Sequence, residues 1–221
     1  MITDERCEVF IETLGRAKTP FLENLERDAK AAGIPIIRPQ AQGLLRYLLA
    51  ANAPEDVLEI GTAVGFSAIL MATYGPSGIR IDTIENYDKH IEKARTNIRD
   101  AGMEDRITLM EGDASDVLAD LDREARSYDM IFIDAAKAQY LNYLPVCKRL
   151  LRPGGILVSD NVLFDGDIVR SRFAVRRRDR TIHARMREFL RVLSDDEDFV
   201  TTILPIGDGM TLSVKCAAGG D

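Results

Sequence analysis

Two apolar runs in this chain each end on an acid. One, Tyr128-Asp129-Met130-Ile131-Phe132-Ile133, closes on Asp134 and is followed by Ala135-Ala136-Lys137; the other, Gly155-Ile156-Leu157-Val158-Ser159, closes on Asp160-Asn161. A parallel sheet binds its ligands beyond the carboxyl ends of its strands, so Asp134, Asp160 and Asn161 can converge on one hard cation. With only His90 and His183 in the chain, oxygen ligands favour Mg²⁺, with Mn²⁺ or Ca²⁺ as alternatives. Lys137 lies about one helical turn beyond Asp134, where its amine can reach the same pocket as a general base or as an oxyanion stabiliser. The plainer reading of Lys137 is a solvated first-turn lysine, and of the two aspartates helix capping. Asn161 beside Asp160, and two strands ending together, weigh towards metal.

A second group of residues points to a cofactor. Val57-Leu58-Glu59-Ile60-Gly61-Thr62-Ala63-Val64-Gly65-Phe66-Ser67 reads as a buried strand turning through glycines into a helix. Gly61 and Gly65 allow a ligand close to the backbone, but their spacing lacks the third glycine that seats a pyrophosphate, which disfavours a nicotinamide dinucleotide. The next strand ends at Glu85, where an acid can accept hydrogen bonds from both ribose hydroxyls. Gly112-Asp113-Ala114 follows the third strand and is placed to meet an adenine. Taken singly, such glycines are often only turns and Glu85 a loop acid. Their order along the chain points to a nucleoside-bearing cofactor, a sulfonium in preference to a diphosphate.

The elements that must position these residues follow from periodicity. Segments 5–14, 19–32 and 40–51 read as helices, with Pro20 suited to a first helical position and Pro39 just ahead of the third. From Asp56 short apolar runs alternate with amphipathic stretches, giving strands at 56–60, 79–84, 106–110, 128–133 and 155–159 and helices at 66–74, 88–101, 115–122 and 139–151. About 18 residues of little regular pattern follow Asn161, long enough to suggest function or disorder. A helix resumes over 181–193, and 199–204 with 210–215 form a hairpin around Gly207-Asp208-Gly209. The expected fold class is α/β, a doubly wound Rossmann-like sheet of seven strands with N-terminal helices and a C-terminal antiparallel hairpin. It forms one domain over 1–221: a helical segment 1–52, a core 53–215 carrying an active-site insertion at 162–180, and a frayed tail 216–221.

Composition narrows the setting. No apolar run is long enough to cross a bilayer, and the start, Met1-Ile2-Thr3-Asp4-Glu5-Arg6-Cys7-Glu8, lacks the basic residues and apolar stretch of a secretory signal, so a cytoplasmic protein is expected. Three scattered cysteines, Cys7, Cys147 and Cys216, suggest neither a disulfide framework nor a zinc knuckle. The net charge of −7 argues against a polyanionic partner, yet residues 170–187 hold eight arginines against one acid, Asp179, a local +7 that leaves −14 elsewhere. Such a run is commonly a solvated face, here one that acids elsewhere could attract. Its functional reading is phosphate contact by Arg170, Arg172, Arg176, Arg177, Arg178 and Arg180. Tyr140 and Tyr143 read as helix packing rather than base stacking, and His183 as a bystander.

Leu58-Glu59-Ile60-Gly61-Thr62-Ala63-Val64-Gly65-Phe66-Ser67, Glu85, Gly112-Asp113-Ala114, Asp134-Ala135-Ala136-Lys137 with Tyr140, and Asp160-Asn161 together resemble the metal-dependent O-methyltransferases, the family of catechol and caffeoyl-CoA methyltransferases. The likeness runs from about residue 35 to 215. It implies S-adenosyl-L-methionine held by Ile37, Glu59, Gly61, Gly65, Ser67, Glu85, Asp113, Ala114 and Asp134, a metal on Asp134, Asp160 and Asn161, catalysis by Lys137 and Asp134, and a homodimer. Within the family the arginine-rich stretch is most similar to a bacterial branch that methylates 5-hydroxyuridine at the tRNA wobble position, giving 5-methoxyuridine. This makes tRNA the expected partner, with a small-molecule catechol as the alternative. A non-catalytic RNA-binding module would keep the arginines but has no use for Asp134, Asp160 and Asn161 as a set.

Overall fold

A computed structural model describes residues 5–217. The first residues of the chain, and 218–221 of the expected tail, lie outside the described residues. Seven strands, β1 (Asp56–Ile60), β2 (Arg80–Glu85), β3 (Ile107–Glu111), β4 (Tyr128–Ile133), β5 (Leu151–Ser159), β6 (Phe199–Leu204) and β7 (Met210–Lys215), form one sheet in the order β3-β2-β1-β4-β5-β7-β6. The first five run parallel, and β7 lies antiparallel between β5 and β6. The strand order reverses between β1 and β4, which places the ligand crevice at their carboxyl ends.

Helices cover both faces. Alternation along each central strand divides the core: Val57, Met130 and Phe132 pack with Leu22, Leu45 and Ile69 from α2 (Pro20–Ala31), α3 (Pro39–Asn52) and α4 (Phe66–Tyr74). Leu58, Ile131 and Ile133 face the other way, onto Leu118, Leu144 and Phe189 of α6 (Ala114–Arg123), α7 (Tyr140–Leu150) and α8 (Arg180–Asp195). A strand buried on both sides shows a continuous apolar run, which is what marks β1 and β4 in the sequence. The remaining helices are α1 (Glu5–Leu14) and α5 (Asp88–Asp100).

Most elements fall within one or two residues of expectation, and both hairpin strands have the expected bounds. Two regions differ. β5 begins at Leu151, ahead of the expected start at 155, pairing Leu151 with Tyr128 across a register shift. Pro153-Gly154-Gly155 hides that start, because proline and glycine are poor strand residues that survive at irregularities. The segment after Asn161 is not patternless: it holds 3₁₀ turns at Phe164–Val169 and Arg177–Asp179 and buries Val162, Ile168 and Val175. It is pinned to the hairpin turn by Val162 N donating to the Gly209 carbonyl and Leu163 N to the Asp208 carbonyl, both at 2.9 Å.

Candidate active site

A cleft of about 620 Å³ opens at the carboxyl ends of the parallel strands. Ile37, Gly61, Ser67, Glu85, Ala114, Asp134, Lys137, Asp160 and Asn161 all line it. Three other expected cofactor contacts do not. Glu59 lies beneath the cleft, fully buried within β1, where Thr83 Oγ1 donates to its Oε2 at 2.5 Å and Thr62 Oγ1 meets Thr83 Oγ1 at 2.6 Å. Burial pushes the Glu59 carboxyl up to about 7, against hydrogen bonding from Ser67 and Thr83. Gly65 stands at the start of α4 in a left-handed conformation and faces Ala94 of α5. Asp113 caps α6, accepting from Ser115 N at 2.8 Å, while its neighbours Gly112 and Ala114 face the cleft.

Gly61 explains how β1 and β4 come so close. Its φ is +105°, and a Cβ there would stand 2.0 Å from the Asp134 carbonyl oxygen. Only glycine fits, and that contact fixes the backbone from which Asp134 projects. The Glu85 carboxylate is held by three backbone amides, with Oε2 accepting from Ala63 at 2.8 Å and Oε1 from Asn86 and Tyr87 at 3.0 and 3.1 Å. A carboxylate offers about four lone-pair sites, so Oε2 keeps room for one hydroxyl donor. The segment 35–38, which lines the cleft, is tied down from behind: Gln42 Nε2 donates to the Ile37 carbonyl at 2.9 Å, and Gln42 Oε1 accepts from Lys18 at 2.8 Å.

On the acidic side, both carboxylates meet one residue. Asn161 Nδ2 donates to Asp134 Oδ1 at 2.7 Å and Asn161 N to Asp160 Oδ1 at 2.6 Å. Asn161 has a φ of +64°, a left-handed conformation that asparagine tolerates better than most side chains. Below them, the buried Tyr140 hydroxyl accepts from Ala135 N at 3.2 Å and donates to the Asp160 carbonyl at 3.0 Å, clasping the ends of β4 and β5 together. Burial raises the Asp134 carboxyl, against the Asn161 hydrogen bond and the Lys137 charge. Asp160 is pushed up to about 7 by burial and then by the charge of Asp134. Lys137 Nζ lies 5.0 Å from the centre of the Phe164 ring.

The site thus joins a glycine turn and an acid held by three backbone amides to two buried carboxylates and an amine. A family model for O-methyltransferases matches residues 15–216. The chain belongs to this family. Among its relatives, a catechol O-methyltransferase of Niastella koreensis is 39% identical over 141 residues, a match covering 62% of this chain and 64% of that enzyme. A catechol O-methyltransferase of Mycobacterium tuberculosis is 38% identical over 165 residues, covering 73% and 74%. The O-methyltransferase of Bacillus cereus, solved in complex with SAH, superposes with a TM-score of 0.85 at 28% identity, covering 97% of this chain and all of the other. The fold is that of the class I S-adenosylmethionine-dependent O-methyltransferases.

In this O-methyltransferase none of Arg170, Arg172, Arg176, Arg177, Arg178 and Arg180 lines the cleft. Arg170 pairs with Asp167 at 3.1 Å, Arg178 stands 3.7 Å from Asp179, and Arg180 Nε donates to the Val175 carbonyl at 3.4 Å. Two further arginines of the run serve the fold: Arg185 donates to the Ala138 carbonyl at 2.6 Å and Arg187 to the Ile168 carbonyl at 2.7 Å. Tyr140 and Tyr143 are buried as helix packing, although Tyr143 also reaches the cleft wall. Sequence reasoning missed Arg38 and Asp208, which line the cleft and pair at 2.6 Å. It also missed His90, whose Nδ1 lies 3.7 Å from Glu85 Oε2. The only signal for Asp208 was its place in a Gly-Asp-Gly turn, which reads equally well as a plain hairpin.

Proposed function

We propose that this chain transfers a methyl group from S-adenosyl-L-methionine to one hydroxyl of a small catechol-like acceptor, with a divalent cation, Mg²⁺ first among candidates, at Asp134, Asp160 and Asn161. The observation that carries the reading is the convergence of two buried carboxylates on one asparagine at the lip of a nucleoside-sized cleft. Among the described residues no three His, Cys, Asp and Glu side chains gather as a metal group; the donors proposed are two carboxylates and an amide oxygen. That all-oxygen set suits a hard cation, and carboxylates raised by burial, Asp160 also by the charge of Asp134, gain most from a positive charge between them. When bound, the cation would lower the acceptor hydroxyl's pKa and fix its oxygen.

The residues divide the remaining work. Gly61 lets the cofactor approach the β1 turn, Glu85 Oε2 accepts from a ribose hydroxyl, and Ile37, Ser67 and Ala114 close the pocket around it. Asp134 and Lys137 stand where the reacting atoms meet. Lys137 Nζ takes the acceptor's proton, or stabilises the oxyanion, as the oxygen forms its bond to the methyl carbon and the carbon–sulfur bond breaks. Holding that oxygen in line is worth several kcal/mol by itself.

Relatives named as catechol O-methyltransferases, and arginines that lie outside the cleft, support the small-molecule acceptor over the tRNA one. The exposed Arg172, Arg176 and Arg177 keep wobble 5-hydroxyuridine as a second reading, since its 5-hydroxyl beside O4 could present the same chelating pair. Labelled S-adenosylmethionine and Mg²⁺ with either a catechol panel or tRNA carrying 5-hydroxyuridine separate them. Turnover on catechols alone is expected, and turnover on tRNA alone reverses the assignment. We further propose a single domain with the 162–180 segment serving as an active-site insertion. A homodimer is supported by the apolar row Val9, Phe10, Ile11 and Leu14 exposed on α1, and light scattering tests it.

A further inference from the structure

A second depression, of about 680 Å³, lies away from the cleft, between α8 and the segment that runs through Val169 and Arg172. Its cations are Arg170, Arg172, Arg187 and Arg191. Their placement is regular. His183, Arg187 and Arg191 recur every four residues on one stripe of α8, and Ala184 leaves space beside them. Arg187 is anchored by donating to the Ile168 carbonyl, and Arg170 by its pair with Asp167, so both heads are held at the rim. Among the described residues Arg172 and Arg191 have no ion-pair partner, and Glu188 is the one carboxylate lining the depression. The floor carries an independent mark. His183 is 2% exposed, bonds the Arg170 carbonyl through Nε2 at 3.2 Å, and leaves Nδ1 buried without a hydrogen-bond partner. A buried polar atom with no partner is costly and rare; with Nε2 donating, Nδ1 is left to accept, so a water donating both to it and to a bound anion would complete it.

We propose that this depression is a second binding site, built for a small phosphate-bearing anion. Four guanidinium groups against one carboxylate give the charge, and arginine's planar fork matches phosphate oxygens two at a time. The site is distinct from the methyl-transfer cleft and does not depend on the reading of that cleft. It also separates the arginines by role: Arg172 and Arg191 as ligand contacts, Arg176, Arg177 and Arg178 as a solvated face.

Calorimetric titration at low ionic strength tests this with two probes, inorganic pyrophosphate and phenyl phosphate, which distinguish a free anion from an organic phosphomonoester. The proteins are the full chain, the Arg172→Ala/Arg191→Ala variant and the Arg176→Ala/Arg177→Ala/Arg178→Ala variant. All these positions are at the surface, and a circular dichroism melt checks their folding. At least one probe should bind with one-to-one stoichiometry, weaken about tenfold or more in the double variant, and stay within about twofold in the triple variant. Three results would overturn the proposal: neither probe binds, both variants weaken binding equally as a diffuse charge effect would, or a short single-stranded RNA binds more tightly than both probes and loses most in the triple variant.

Discussion

Replacing Gly61 by alanine should damage both stability and cofactor binding, and the structure says by how much. A Cβ at this position stands 2.0 Å from the Asp134 carbonyl oxygen and 2.8 Å from its carbon, both backbone atoms, at a φ of +105°. Positive φ in a residue with a side chain costs about 1–2 kcal/mol, and forcing packed backbones apart adds about 1–3 kcal/mol. A total of about 2–5 kcal/mol is therefore expected. Gly154 supplies the control, since its φ is +78° but nothing lies within 4 Å of a Cβ there, so Gly154→Ala should cost only about 1–2 kcal/mol. The difference isolates the clash. Urea unfolding measures both losses, with midpoints shifted by roughly 1–2 M for Gly61→Ala if the slope is about 2–3 kcal/mol/M. Asp134 must move by about 1 Å to relieve the contact, and a misplacement of that size can cost about 100-fold in rate. If Gly61→Ala were no less stable than Gly154→Ala and bound S-adenosylmethionine as the parent does, the strand contact would not be what positions Asp134.

Three other perturbations follow from the same geometry. Glu59, with its carboxyl raised from 4.5 to about 7, favours the folded state fully below pH 4.5 and loses that contribution as pH rises through 7, about 3 kcal/mol in all. Glu59→Gln should flatten urea midpoints measured between pH 5.5 and 8.5, and an unchanged slope would contradict the burial account. Tyr140→Phe removes the hydroxyl that joins Ala135 N to the Asp160 carbonyl and should cost about 1–3 kcal/mol in urea unfolding. Lys137→Met should lower kcat by about 10²–10⁴ while calorimetry shows cofactor affinity kept, and a loss under tenfold would remove Lys137 from proton transfer.

The parts of this protein that could be read in advance are those set by local pattern. Buried runs such as Ile131-Phe132-Ile133 announce a central strand because both faces are covered, and the alternation around Gly207-Asp208-Gly209 announces the hairpin. Asp134, Asp160 and Asn161 were legible because strand ends in a parallel sheet converge by topology. Glu59 and Asp113 stand off the cleft for a common reason. A residue inside such a motif can brace its neighbours, as Glu59 does for Thr83 and Asp113 does by capping α6, and residue type does not distinguish this from lining the cleft. The Arg38–Asp208 pair was invisible because it joins a linker to a distant turn, and no periodicity encodes such a contact. Arginines read as one patch divide in three dimensions into anchors, such as Arg185 and Arg187, and exposed charges, such as Arg172 and Arg176.

A divalent cation held by Asp134, Asp160 and Asn161 would present a chelated oxygen to the methyl donor. The most direct test is methyl transfer from labelled S-adenosylmethionine to catechol and to phenol, with Mg²⁺ or with EDTA. Transfer to catechol that disappears with EDTA, returns with Mg²⁺ and is absent for phenol is the predicted result. Transfer that persists in EDTA, or that treats phenol and catechol alike, would contradict it.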